Sequence, residues 1–283
     1  MTRMRVRTPA EMASALDRVG YLADEGLATA AYLAVAMGRP LFCEGEPGTG
    51  KTALATALAS ALDVELVRLQ CYEGIDATQA LYEWDFPRQL LELRAGTSVE
   101  SLYTRKFLLA RPLLRALESP CVLLVDEIDR ADDEFEAFLL EVLSESAVTV
   151  PELGEIRAAS PPLVVLTSNR TREVHDALKR RCLYHWLDHP SLDRELAILR
   201  KRLPGLGERL ATQVVTAVRR LREMELLKPP GVAETIDWAA ALIALGRDTV
   251  DVSTAALTLG AVLKYREDVD RVVAAGLDAL LAG

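Results

Sequence analysis

The chain has 283 residues, 50% of them hydrophobic and 5% aromatic, with a formal net charge of −9. That length has room for two domains and a sizeable core, and the acidic balance argues against general affinity for nucleic acid or an anionic membrane surface. No signal-peptide pattern opens the sequence and no apolar run is long enough to span a membrane, so a cytoplasmic protein without an integral membrane segment is expected.

Thr8-Pro9-Ala10-Glu11 predicts a helix start, with a Thr cap, Pro at the first helical position and Glu three residues after the cap. That helix should run to about residue 19. A second, over about residues 24–37, is ended by Gly38 and Pro40. Residues 41–44 then read as a buried strand and residues 53–62 as a helix. Between them, Gly45-Glu46-Pro47-Gly48-Thr49-Gly50-Lys51-Thr52 fills every fixed position of the phosphate-binding pattern G-x-x-x-x-G-K-[ST]. A strand, such a loop and a helix aim backbone N–H groups and a helix N-terminus at a polyphosphate. Lys51 would reach the β- and γ-phosphates, and the Thr52 hydroxyl would help to hold Mg²⁺.

Residues 64–70 alternate as a strand does, whereas residues 72–106 are less regular, with Trp84, Pro87 and Gly96 scattered through them. Helical spacing returns over residues 107–118. The apolar run 121–125 ends in Asp126-Glu127; a strand apolar on both faces suits the centre of a parallel sheet covered by helices. Carboxylates at its C-terminal end sit where such sheets bind ligands, which makes Asp126 the Mg²⁺-side carboxylate and Glu127 the base that polarises water.

An amphipathic helix over residues 132–144 carries Phe135, Phe138, Leu139, Val142 and Leu143 on one face. A hairpin follows over 147–158, then a strand over 163–167 with the polar tip Ser168-Asn169-Arg170. A short helix over 172–180 leads to a fifth core strand over 183–187, and only helices, about four, follow Ser191. Cys43, Cys71, Cys121 and Cys182 lack paired metal-ligand spacing and are expected as buried thiols in a reducing compartment. His175, His185 and His189 show no ligand spacing either and read as structural. The expectation is an α/β nucleotide-binding domain over residues 1–190, with an insert at 72–106 and a hairpin at 147–158. A small all-α lid over 191–283 completes it.

The P-loop, the Val125-Asp126-Glu127 strand end, the Asn169 strand tip and the Arg180-Arg181 pair occur in the order and spacing of an AAA+ ATPase. The irregular segment and the hairpin resemble the two insertions of the MoxR branch. The stretches 125–132, 135–141, 166–172 and 178–186 are similar to MoxR-type proteins of the CoxD kind, encoded beside molybdenum hydroxylases such as aerobic carbon monoxide dehydrogenase. The resemblance implies an Mg²⁺-dependent, ATP-hydrolysing homo-oligomer, a hexameric ring, that remodels a client metalloenzyme, with a von Willebrand A-domain protein as a candidate adaptor. Activation of a different metabolic enzyme, and a nucleotide-gated scaffold that barely hydrolyses, are the rival outputs. It makes Asn169 the sensor that positions the attacking water, against a plain Asx turn. Arg181 becomes the arginine finger delivered to the neighbouring subunit, with Arg180 the next candidate and a solvated basic helix end the bland rival. Arg130 is either a second intersubunit contact or a surface salt bridge, and Trp84 either faces a client or packs on the core. Two positions depart from the pattern: Thr235 stands where relatives carry a lid Arg, and Asp129 where many have Asn.

Overall fold

The computed structural model describes residues 6–96 and 99–281, so the outermost ends of the expected domains and residues 97–98 of the expected insert lie outside the described residues. Two compact units emerge. One contains the chain up to Gly45 together with Lys51–Trp186; the other joins Glu46–Gly50 to Leu187–Gly283.

In the first unit, α1 (Pro9–Arg18) starts where the Thr8 hydroxyl accepts the Glu11 N–H at 3.1 Å. α2 (Glu25–Met37) is capped by Asp24 and stopped by Gly38 in the left-handed region at φ 62°. Then come β1 (Leu41–Gly45), α3 (Lys51–Leu62) and β2 (Glu65–Gln70). The expected irregular insert is more ordered than its spacing suggests. It holds α4 (Ala77–Leu81), β3 (Tyr82–Trp84) and α5 (Phe86–Arg94), and β3 pairs antiparallel with β4 (Leu108–Ala110). The helix expected from residue 107 begins only with α6 (Pro112–Glu118). Its proline disfavours helical geometry in the residue before it, and Arg111 is extended at ψ 176°. Trp84 is 9% exposed and meets Tyr82 and Tyr103 edge to face, so it packs on the core.

β5 (Cys121–Asp126) is buried along its whole length, as is β1. α7 (Asp133–Glu145) follows, capped by Asp132, and then the antiparallel pair β6 (Ala147–Val150) and β7 (Gly154–Arg157). β8 (Leu163–Ser168), α8 (Asp176–Arg181) and β9 (Leu183–Leu187) complete the unit. α8 starts four residues later than the spacing predicts because the backbone before it is engaged elsewhere. The Thr171 N–H goes to Asp129 and the His175 N–H to the buried Glu136 carboxylate. The main sheet has the order β2-β5-β8-β1-β9, and its β2–β5, β5–β8 and β1–β8 pairings are parallel. Cys43, Cys71, Cys121 and Cys182 are buried, and burial pushes the first, second and fourth thiols up to about 12 and Cys121 up to about 11.

The second unit is helical: α9 (Leu192–Arg202), α10 (Glu208–Glu223), α11 (Val232–Ala244), α12 (Val252–Val262), α13 (Arg266–Ala275) and α14 (Leu277–Leu281). Among the described residues that is six segments where about four were expected. The added breaks fall at Leu263, which is buried and extended, and at Gly276, with φ 94°. Apolar spacing continues through both, so periodicity alone conceals them. Arg222 of α10 forms a two-pronged pair with Glu195 of α9, both contacts 2.7 Å, and the Glu195 side chain is 0% exposed. Glu195→Ala should therefore destabilise this unit by about 3–5 kcal/mol, because a buried guanidinium loses its counter-charge. Urea denaturation followed by circular dichroism checks it; an unchanged midpoint would contradict it. Among the described residues no helix is long and apolar enough to cross a membrane.

Candidate nucleotide site at the strand ends

Sheet register brings the candidate residues together. Cys43 lies opposite Thr167, Glu44 opposite Ser168, Val125 opposite Leu166 and Gln70 opposite Asp126. The C-terminal ends of β1, β8, β5 and β2 are therefore level, at the edge where open α/β sheets bind ligands. The loop Gly45–Thr52 leaves β1 there and turns into α3. Gly48 and Gly50 adopt φ 78° and 96°, which side-chain-bearing residues avoid. Lys51 is 6% exposed and its ammonium donates to the Gly45 carbonyl at 2.8 Å. The Thr49 hydroxyl donates to the Glu46 carbonyl at 2.9 Å. Within the second unit, the tip of this loop meets the start of α11. The Val232 N–H donates to the Gly48 carbonyl at 2.9 Å, and a Cβ on Gly231 would lie 2.6 Å from the Gly48 Cα. Both positions need glycine for that approach.

Asp126 is 2% exposed and accepts from three sides. The hydroxyls of Thr52 and Thr167 reach its Oδ1 at 3.0 and 2.6 Å, and an Arg68 Nη2 reaches its Oδ2 at 2.6 Å. Glu127, next in the chain, sits in the left-handed region at φ 55°, a conformation that costs of order 1–3 kcal/mol and clusters at functional sites. Its N–H donates to Thr167 Oγ1 at 2.9 Å, which helps to hold it there. The carboxylate of Glu127 is gripped by two amides. Gln70 Nε2 donates to Oε2 at 3.1 Å, and Asn169 Nδ2 donates to Oε1 at 3.3 Å. Arg130 adds an ion pair at 3.1 Å with Glu127, so in this chain it is a local salt bridge.

Asn169 owes its place to Asp129, whose Oδ2 accepts the N–H groups of Asn169 and Thr171 and the Thr171 hydroxyl. Asp129 thus fastens the strand tip through a single carboxylate oxygen. Arg180 and Arg181 end α8, are exposed, and bond to neither Asp126 nor Glu127 among the described contacts. Their helix is pinned at both ends. At its start the His175 N–H donates to Glu136, which also pairs with Arg172 upstream, and at its end Arg39 donates to the carbonyls of Arg180, Arg181 and Cys182. Thr235 is fully buried, donating to Glu195 at 2.7 Å and accepting from Arg222 at 3.2 Å, so it belongs to the core of the second unit. Sequence spacing missed Arg68, Gln70, Thr167 and Arg39. The one available signal was the polar ends of the two flanking strands.

Two hard oxygen donors, the Thr52 hydroxyl and the Asp126 carboxylate, stand in contact beside a phosphate-binding loop. Mg²⁺ prefers this kind of donor set, a carboxylate with substrate phosphates and water.

Comparison with known proteins agrees with this geometry. Over 156 residues the chain is 31% identical to the uncharacterized Escherichia coli protein YehL, covering 52% of this chain and 41% of YehL. It is 26% identical over 238 residues to the gas vesicle ATPase GvpN1 of Halobacterium salinarum, covering 78% of this chain and 66% of GvpN1. In fold it is similar to the Thermotoga maritima RuvB Holliday junction branch migration motor, with a TM-score of 0.50 and 17% identity over 90% of this chain and 72% of that one. Residues 40–182 match the AAA domain model of the dynein-related subfamily, so the chain belongs to that family and carries its ATPase domain.

Proposed function

We propose that the chain is a magnesium-dependent ATPase of the MoxR kind, working as a hexameric ring, with a motor domain over residues 1–190 and a helical lid over 191–283.

 The P-loop Gly45–Thr52 cradles the phosphates, with Lys51 on the β- and γ-groups and Thr52 and Asp126 flanking the cation. Bound Mg²⁺ would neutralise charge on the phosphates during transfer. Glu127 takes a proton from the attacking water and Asn169 orients that water. One observation carries this assignment: the Glu127 carboxylate is held between the amide of Gln70 at the end of β2 and that of Asn169 just after β8, beside the Asp126–Thr52 contact.

Arg181 acts in trans in this reading, with Arg180 as the second candidate. It is exposed, and the backbone behind it is braced by Arg39, which suits a rigid donor presented to another subunit's phosphates. Arg181→Ala should leave ATP binding intact and suppress turnover. Mixing it with Lys51→Ala should recover part of the activity, since some interfaces would again join an intact P-loop to an intact finger. No recovery at any ratio, with assembly verified by sedimentation, would contradict action in trans.

The client in this reading is a molybdenum hydroxylase such as carbon monoxide dehydrogenase, supported by the residue resemblance over 125–132, 135–141, 166–172 and 178–186. ATP-driven remodelling can open a buried metal site for a late addition. Deleting the gene should leave the hydroxylase made, folded and loaded with molybdopterin, yet inactive. Full activity and normal metal content in the deletion strain would remove this client. The likeness to a gas vesicle ATPase favours a second reading, the same motor serving a client that is not a metalloenzyme. That reading predicts the normal hydroxylase.

A further inference from the structure

Arg68 belongs to none of the roles above, yet it touches the most buried acid of the site. β2 runs parallel to β5 with Arg68 opposite Leu124 and Gln70 opposite Asp126. Arg68 and Gln70 are two residues apart on one strand and share a face. The Arg68 Nη2 donates both to Asp126 Oδ2 at 2.6 Å and to Gln70 Oε1 at 2.5 Å. With its oxygen engaged by Arg68, Gln70 turns its Nε2 to Glu127 Oε2 at 3.1 Å. One guanidinium thus reaches both carboxylates, Asp126 directly and Glu127 through the orientation of an amide.

The two halves of the ion pair differ in mobility. The Asp126 side chain is 3% exposed and held by two further hydroxyls, whereas the Arg68 side chain is 53% exposed on a long stem. If one partner moves, it is the arginine. A dication and a guanidinium at bonding distance from one carboxylate repel each other strongly.

We propose that Arg68 is a positioning residue that competes with the divalent cation for Asp126, so that loading Mg²⁺ with the nucleotide requires the guanidinium to leave Oδ2. This rests on the assignment of Thr52 and Asp126 to the magnesium position. Departure of Arg68 also removes the donor that fixes the Gln70 amide, which links cation loading to the hold on Glu127.

The test is a Mn²⁺ titration of the full chain saturated with a non-hydrolysable ATP analogue, with the unbound ion followed by electron paramagnetic resonance. Arg68→Ala should bind Mn²⁺ roughly fivefold tighter than the parent, the upper end of what a half-exposed ion pair contributes. Arg68→Lys, which keeps the charge but loses the planar fork, should fall between the two. Arg130→Ala removes a cation from Glu127 instead and should leave the affinity unchanged. Equal or weaker binding in Arg68→Ala overturns the proposal, as does equal tightening in Arg130→Ala, which would trace the effect to net charge. Thr52→Ala separates the two levels. Parental Mn²⁺ affinity in that variant would remove the magnesium position itself. Weakened binding there, with Arg68→Ala unchanged, would remove the role of Arg68 alone.

Discussion

Glu127→Gln is expected to slow ATP hydrolysis by at least about two orders of magnitude, the range lost with a general base, while ATP still binds. The substitution is nearly isosteric, and Asp126 keeps its contacts with Thr52 and Thr167. The new amide has one acceptor where the carboxylate has two, so it cannot serve both amide donors unaltered. Gln70 is fixed by Arg68, so Asn169 is the amide that would turn over. Assemblies should therefore live longer in ATP. Phosphate release measured beside equilibrium binding checks the split between chemistry and affinity, and parental turnover would take the base role away from Glu127.

Lys51→Ala should weaken ATP binding by roughly a hundredfold, on the order of 3 kcal/mol for a charge-assisted contact. Lys51 is 6% exposed and already turned inward onto the Gly45 carbonyl, so its ammonium is presented at the loop with little ordering left to do. Alanine keeps helix propensity at the first position of α3, which separates the loss of charge from loss of fold. Isothermal titration reads the change; parental affinity would contradict the phosphate role of the loop.

Much of the fold was legible in the sequence, since β1, α3, β5 and β8 carry either fixed motif residues or long apolar runs. Three-residue strands such as β3 and β4 are too short for alternation to register, and their pairing joins residues well separated in the chain, from Trp84 with Leu108 to Tyr82 with Ala110. The breaks at Leu263 and Gly276 were hidden because apolar spacing runs through them. In the site, Lys51, Thr52, Asp126 and Glu127 were legible because they sit at fixed offsets within single segments. Arg68, Gln70 and Thr167 were not, because only the sheet register brings them to Asp126 and Glu127. Asp129 stood out only as a departure from the pattern; the structure shows its carboxylate fastening the Asn169 loop. Thr235 kept its place in the chain pattern, but burial against Glu195 gives it a packing role.

The most direct measurement is the identity of the nucleotide held after a single turnover. Purified parent and Glu127→Gln protein are mixed with ATP and Mg²⁺, trapped by rapid gel filtration, and the bound nucleotide is separated by chromatography. The parent should hold ADP and release phosphate, while Glu127→Gln should hold intact ATP. ADP in the mutant at the parental rate, or ATP left unhydrolysed by the parent at every protein concentration, would contradict an ATPase site built on Glu127.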